Sequence, residues 1–356
     1  MFNKIIIFGL GLIGGSIAKD IKKNKITNNI LAYDISQSNI KYAIDSHIID
    51  SYYDFNDKIT ENDLVIIAAP LSSYGYILDK ISNLIDGNPL IIDVGSVKSF
   101  VKNNLLKKYN AKIRNNFIPC HPIAGLEKSS VQNSISGLFL EKKVIITKNN
   151  DKIIDFWKNI GSKVEIMNDS DHDDIFALTS HLPQLISFYL KSTNINYNSD
   201  NVLLQKHSRL QNSNVLIWSD IFNFNKSFIN KYLKEYRQNL FLFKDYFIHN
   251  NYSEILNLLE NSIQITDKGN FDNITNYNYK KDDELLIICS ILIASSLILI
   301  DDLKYIADYC GSGFKDFTII LFYLKYFLDS KELLDILQKN KENIINFLTK
   351  LENIKL

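Results

Sequence analysis

Three short phrases in the chain carry side chains suited to chemistry. The first is Gly9-Leu10-Gly11-Leu12-Ile13-Gly14, a G-x-G-x-x-G turn, with Asp34 following twenty residues after Gly14. In such a turn Gly9 permits a tight reversal, Gly11 lets backbone approach a pyrophosphate, and Gly14 lets a helix pack on the preceding strand. Leu12 precedes and Ile13 opens that helix, whose N-terminus offers unpaired N–H groups and the positive end of its dipole to phosphates. Asp34 suits the ribose hydroxyls of an adenosine. A 2′-phosphate there would meet a negative charge with no arginine nearby, so the pattern favours NAD over NADP. Ala69 and Pro70, which close a later strand, are assigned to the same cofactor edge. The plainer alternative is a glycine turn with a helix-capping aspartate.

Asp93-Val94-Gly95-Ser96-Val97-Lys98 and Cys120-His121-Pro122-Ile123-Ala124-Gly125-Leu126-Glu127-Lys128 each follow an apolar run. They bring Ser96 and His121 to the strand edge where ligands of such folds bind. Ser180-His181-Leu182-Pro183-Gln184 falls in a helical stretch beginning near Asp173. Each of these residues has a second reading. Ser96 suits a helix N-cap, His121 a structural strand end, and His181 a satisfied core position as well as a pocket wall. His172-Asp173 opens its helix and reads as a structural cap rather than a site. Glu127 and Lys128 gate a pocket or face solvent, and His47, His207 and His249 show no partner pattern. Cys120, Cys289 and Cys310 have no metal or redox spacing, so no metal is expected and a reducing cytoplasm fits.

The elements that position these residues alternate. Apolar runs at Lys4–Phe8, Ile30–Tyr33, Leu64–Ala68 and Leu90–Asp93 are separated by helix-length segments, among them Ile13–Lys22 and Ser38–Ser46. Phe117–Pro119 and Lys143–Thr147 read as later strands. The pattern predicts an α/β, Rossmann-type doubly wound parallel sheet, followed by an all-α C-terminal region. With 356 residues the chain exceeds one ordinary domain. We divide it into a dinucleotide-binding domain at 1–166, a helical substrate and dimerisation domain at 167–268, and a further helical segment at 269–356. Forty basic and forty acidic residues cancel, which argues against a nucleic-acid partner. Only Arg114, Arg209 and Arg237 are arginines, so each is worth inspecting. Nothing at the N-terminus reads as a secretory signal. Leu285–Ile300 is apolar, but it is shorter than the roughly 20 residues that span a bilayer and acidic residues flank it. It reads as a buried helix, and the protein as cytoplasmic, with no membrane partner.

The phrases GLGLIGGS, DVGSVK, HPIAGLEKS and HDDIFALTSHLPQ, in this order, resemble the prephenate/arogenate dehydrogenases of tyrosine biosynthesis. Arg209-Leu210-Gln211-Asn212-Ser213 and Trp218-Ser219-Asp220-Ile221 extend the resemblance, which covers roughly residues 1–235. It implies NAD-dependent oxidative decarboxylation of a cyclohexadienol such as prephenate, giving 4-hydroxyphenylpyruvate. It assigns His121 to take the proton of the ring C4 hydroxyl, Ser96 to support it, and Arg209 to clamp a substrate carboxylate. His181, Glu127 and Gln184 would line the substrate pocket. An imidazole with a pKa of about 6.5 suits that proton transfer, and a guanidinium fork suits the carboxylate. Two departures bear on the substrate. Gln184 stands where the family commonly has a second histidine, and Leu126 where it has threonine or a similar residue. They leave arogenate, or dual specificity, as the alternative. Asn214-Val215 replaces an Asp-Pro.

More distant alternatives are a different NAD-dependent hydroxy-acid dehydrogenase, a non-catalytic NAD-binding sensor, and a fused chorismate mutase. The last lacks arginine after Arg237. The length past residue 268 suggests a duplication. Gly311-Ser312-Gly313-Phe314-Lys315-Asp316-Phe317-Thr318 resembles the family phrase that precedes its arginine, and Ile319 follows it. An offset of 110 aligns Asp173 with Asp283, Ser180 with Ser290 and Arg209 with Ile319, and it becomes 115 at Asn225-Lys226 and Asn340-Lys341. The second copy, with Ile291, Ile293 and Ile319, would be chemically silent. Because the family dimerises through this region, the resemblance implies either a homodimer or a monomeric pseudo-dimer.

Overall fold

The β-branched runs form the strands of one eight-stranded sheet, ordered β3-β2-β1-β4-β5-β6-β7-β8. The computed structural model describes residues 2–125, 129–192, 210–268, 284–300 and 330–356, together with Phe314, Thr318, Ile320, Leu321 and Leu324. Strands β1 (Ile5–Phe8), β2 (Ile30–Tyr33), β3 (Ser51–Tyr52), β4 (Leu64–Ile67), β5 (Leu90–Asp93) and β6 (Phe117–Pro122) are parallel neighbours. The order reverses between β1 and β4, which opens a crevice at their carboxyl ends.

Both faces of the sheet are buried, and the alternation along β1 shows how. Ile5 and Ile7 pack with Ile17 and Ile21 of α1 (Leu12–Lys23) and with Trp157 of α5 (Asp151–Asn159). Ile6 and Phe8 face the other way, onto Tyr74, Ile77 and Ile81 of α3 (Tyr74–Ser82). Between these helices, α2 (Gln37–Asp45) is capped by Ser36 and α4 (Ala111–Asn116) by Asn110.

The parallel sheet carries one antiparallel pairing near its edge. β7 (Lys143–Ile146) runs antiparallel to β6, and β8 (Lys163–Ile166) runs parallel to β7. The described part of the connection from β6 to β7 holds a single short turn of helix, Val131–Asn133, not a crossover helix, and a parallel return needs a crossover. The edge strands β3 and β8 escape sequence reading because neither is a buried apolar run: β3 is two exposed residues and β8 reads Lys-Val-Glu-Ile.

The chain forms two compact units. The sheet unit comprises residues 1–173 and 214–225, and the helical unit 174–213 and 226–356. A helical stretch that starts at Asp169 rather than near Asp173 runs through α6 (Asp169–Phe176), a wide π turn at Ala177–His181, and α7 (Leu182–Ser192). The chain then returns to the sheet unit as α8 (Val215–Phe224), capped by the Asn214 side chain. There Ile221 joins the core, Asp220 accepts hydrogen bonds from the Ser72 N–H and Oγ at 2.9 and 2.7 Å, and Phe224 stacks on Phe100.

The helical unit is organised on α9 (Lys226–Ile248), whose inward stripe is Ile229, Tyr232, Leu233, Tyr236, Leu240, Phe243 and Phe247. Around it lie the π turn and α7, α10 (Tyr252–Lys268), α11 (Glu284–Ile298) and α13 (Lys341–Leu351). α12 (Ser330–Lys339) packs on α11. Every described side chain from Ile287 to Leu297 is buried, as expected of a core helix. No helix among the described residues is long and apolar enough to cross a membrane.

Candidate active site

The glycine turn leaves β1 where the crevice opens. Gly9 has φ +101°, and a Cβ there would lie 2.4 Å from the Ala68 carbonyl oxygen. A Cβ on Gly14 would lie 2.0 Å from the Gly9 carbonyl, so both positions exclude a side chain. Gly11, the α1 N-cap, faces open space instead. No side chain caps that helix end and no acid occupies its first turn, so its N–H groups and dipole are left to an incoming anion. Asp34 sits just past β2. One oxygen accepts from Leu10 N–H at 2.6 Å and the other from Ser36 N–H at 2.8 Å. It therefore fixes the glycine turn, and each oxygen keeps a lone pair for a further donor. Ala69 and Pro70 follow β4 across the crevice, with Ala68 N–H bonded to the Phe8 carbonyl. The open turn, helix end and carboxylate fit a dinucleotide.

Ser96 lies three residues past β5, half-buried. His121 lies on β6 beyond the last residue paired with β5, where the strand pairs with β7 opposite Ile145. Both are thus at the carboxyl edge of the sheet that carries the glycine turn. His121 Nδ1 is 2.8 Å from His172 Nε2, and His172 Nδ1 is 2.8 Å from Asp173 Oδ1. His172 and Asp173 are fully buried. Asp173 also accepts from the backbone N–H groups of Lys98 and Ser99, at 2.8 and 2.7 Å.

This geometry fixes the protons. A carboxylate already accepting two N–H bonds takes a third from His172 Nδ1–H, since it has only acceptors to offer. Burial, and secondarily the Lys98 ammonium, push the His172 pKa well below its ordinary 6.5, so the ring is neutral and its Nε2 accepts. His121 Nδ1 must then donate, and in the neutral His121 ring Nε2 is the nitrogen with the lone pair. The chain of two imidazoles and a carboxylate holds His121 in the tautomer of a general base.

A second buried network lies beneath. Lys98 Nζ donates to Asp93 Oδ2 at 2.5 Å and to the Cys120 carbonyl at 2.7 Å, and both charged side chains are fully buried. Asp93 further accepts from Cys120 N–H, Tyr74 Oη and Gly95 N–H, each at 3.1 Å. Burial and Asp93 raise the Tyr74 pKa, which keeps the phenol a donor. The network locks the end of β5 to β6 at the residue before His121. Burial and Asp93 lift the Cys120 thiol to about 12, so it is no thiolate nucleophile.

Sequence reading thus places Ser96, His121 and the cofactor residues at one edge, and it takes His172 and Asp173 for a cap. Asp173 does cap, but it caps the backbone at Lys98 and Ser99 while orienting His172. The available signal was the acid-and-base pair inside each recognised phrase, Asp93 with Lys98 and His172 with Asp173. In the helical unit His181 is buried in the π turn. Gln184 is buried and donates to the Leu210 carbonyl at 2.7 Å, with Ser213 Oγ 3.4 Å from its Oε1. It therefore holds the segment that follows Arg209. Arg209, Glu127, Lys128 and Leu126 lie outside the described residues. No cluster of metal-ligating side chains occurs among the described residues.

Comparison with known proteins identifies the family. Residues 17–166 match the prephenate dehydrogenase nucleotide-binding domain, and residues 168–261 the prephenate dehydrogenase dimerization domain. The chain is 32% identical to the cyclohexadienyl dehydrogenase of Zymomonas mobilis over 199 residues, 53% of this chain and 67% of that protein. It is 30% identical to the prephenate dehydrogenase of Lactococcus lactis over 253 residues, 67% of this chain and 69% of that one. A solved structure of prephenate dehydrogenase from Aquifex aeolicus, in complex with hydroxyphenyl propionate and NAD+, superposes with a TM-score of 0.68 at 27% identity. The superposition covers 75% of this chain and 98% of that one. With its sheet order, its glycine turn and both family segments in place, the chain belongs to the prephenate dehydrogenase family.

Proposed function

We propose that the chain oxidises and decarboxylates prephenate to 4-hydroxyphenylpyruvate with NAD, a step of tyrosine biosynthesis in the cytoplasm. The observation that carries this reading is the His121–His172–Asp173 chain at the sheet edge that presents the glycine turn. When bound, the dinucleotide supplies the acceptor for the hydride leaving ring C4. His121 Nε2 takes the C4 hydroxyl proton as that hydride departs, so the carbon becomes a carbonyl. The imidazolium formed is stabilised through His172 towards Asp173. The bond from the ring to its carboxylate then breaks, CO2 leaves, and the electron pair aromatises the ring, so the product phenol needs one proton returned. Ser96 supports the same hydroxyl. Arg209 holds a substrate carboxylate, with His181 and Glu127 as further pocket groups and Gln184 positioning the segment after Arg209. Asp34 selects NAD over NADP.

A second reading, arogenate or dual specificity, is favoured by Gln184 and Leu126, which depart from the family pattern where the substrate side chain is expected. Initial rates with prephenate and with L-arogenate, each with NAD and NADP, test the proposal at the NADH absorbance band. Turnover of prephenate with NAD is expected. Turnover of arogenate alone would transfer the assignment, and no turnover of either would sink it. Arg209→Lys should raise the substrate KM far more than it alters cofactor affinity.

A further inference from the structure

The helices of the C-terminal region repeat. α11 (284–298), shifted back by 110, falls on 174–188 within α6, the π turn and α7. α12 (330–339), shifted by 115, falls on α8 (215–224) end to end, and α13 and α9 begin at Lys341 and Lys226, again 115 apart. The buried register repeats as well: Ile221 with Ile336, Ile229 with Ile344, Tyr232 with Phe347, Leu233 with Leu348 and Tyr236 with Leu351. Asn225 and Asn340 close the two preceding helices through the same backbone bond, to the Ile221 and Ile336 carbonyls at 2.9 and 3.1 Å.

The repeated helices also pack on one another. The corresponding helices α9 and α13 pack on each other. Lys244 of α9 pairs with Glu352 just past α13, and Lys341 at the start of α13 reaches the Ile248 carbonyl at the end of α9. The cross contacts come as a matched pair. α7 meets α13 through Tyr189 Oη donating to the Lys350 carbonyl at 2.7 Å, and α11 meets α9 through Asn239 Nδ2 donating to the Ser296 carbonyl at 3.0 Å. Under the repeat these are the same helix pair seen from either side. Self-complementary contact of equivalent elements is the mark of a two-fold interface, ordinarily made by two chains.

We propose that residues 284–356 are a second copy of the helical segment that occupies the place of a partner subunit, so that one chain supplies both halves of the dimerization interface. The enzyme is then a monomer with one active site. The copy carries no chemistry: Ile291 and Ile293, both buried, stand at the positions of His181 and Pro183. α12 also differs from its counterpart, for it stays in the helical unit against α11 where α8 joins the sheet unit. The inference rests on membership of the family and not on the substrate assignment.

Light scattering of the full chain across a concentration series should give 41.1 kDa throughout, and a stable dimer of twice that mass would overturn the idea. Cross-linking the double variant Lys244→Cys, Glu352→Cys with a bismaleimide should join the two positions within one chain. The product should run as a monomer on a denaturing gel, with the wild-type chain as control. A covalent dimer would show that the seam is made between chains. Both readouts are independent of turnover, so failure of the substrate assignment would leave them unchanged.

Discussion

The two units differ in the polar groups they bury, and among the described residues the buried carboxylates and the buried lysine all lie in the sheet unit. In the sheet unit, Asp93, Lys98, His172 and Asp173 are fully buried and joined to one another, to Tyr74 and to backbone, in a set that ends on His121. In the helical unit, α9, α11 and α13 meet through Ile, Leu, Phe and Tyr side chains spaced for helix packing. A buried polar group is costly unless its partners are in place. Such a set positions atoms, and it fails when one member is lost. An apolar core tolerates loss of a member at a smaller, local cost.

That contrast is open to attack, beginning where the effect should be largest. His121→Asn removes the proposed base and should lower kcat by about 10²–10⁴-fold while NAD affinity, followed by fluorescence titration, stays near wild type. Asp173→Asn should fall in the same class, up to about 10⁴-fold, because an amide N–H turned towards His172 reverses the tautomers along the chain. Imidazole ¹⁵N NMR would then find the His121 hydrogen on Nε2. An unchanged tautomer with lost activity would assign Asp173 a purely structural role.

Lys98→Met leaves Asp93 buried without its counter-charge and should destabilise the fold by about 3–5 kcal/mol in urea denaturation. In the other unit, Leu348→Ala should cost about 2–5 kcal/mol through the cavity it leaves, with kcat unaltered at temperatures where the chain is folded. A loss of kcat comparable to that of His121→Asn would erase the distinction between the units.

The smallest effect is one of pH. Because the folded state holds His172 neutral, the unfolded chain binds one more proton as the pH falls below 6.5. Stability from this group is complete above that value and declines below it, by at most about 1.4 kcal/mol per pH unit. His172→Gln should flatten the fall of Tm between pH 6.5 and 5.

Much of the sheet unit is legible in sequence because its signals are local. The run Ile5–Phe8, the glycine turn and Asp34 lie within thirty residues and carry their own geometry. What escapes is set by distant partners. His121 and His172 are 51 positions apart, and nothing in either segment announces the bond between them. The reversal of β7 depends on a connection that returns without a crossover helix, and β8 is an edge strand with too little apolar surface to register. Buried Lys98 illustrates a further limit, since lysine ordinarily signals solvent and its burial follows only from the carboxylate and carbonyl that the fold brings to it.

The return of α8 to the sheet unit has a consequence for synthesis on the ribosome. The sheet unit is not contiguous in the chain: its last helix, with Ile221 and Phe224, is made only after residues 174–213 have been translated. At typical elongation rates that interval lasts ~2–8 s. Throughout it, the nascent sheet waits with the Phe100 ring and the apolar surface around Leu71 uncovered. A chaperone that shields apolar surface would have its longest opportunity at this stage, and a stop codon or proteolytic cut placed at the apparent end of the sheet, after Asp173, would release a domain lacking one of its own walls.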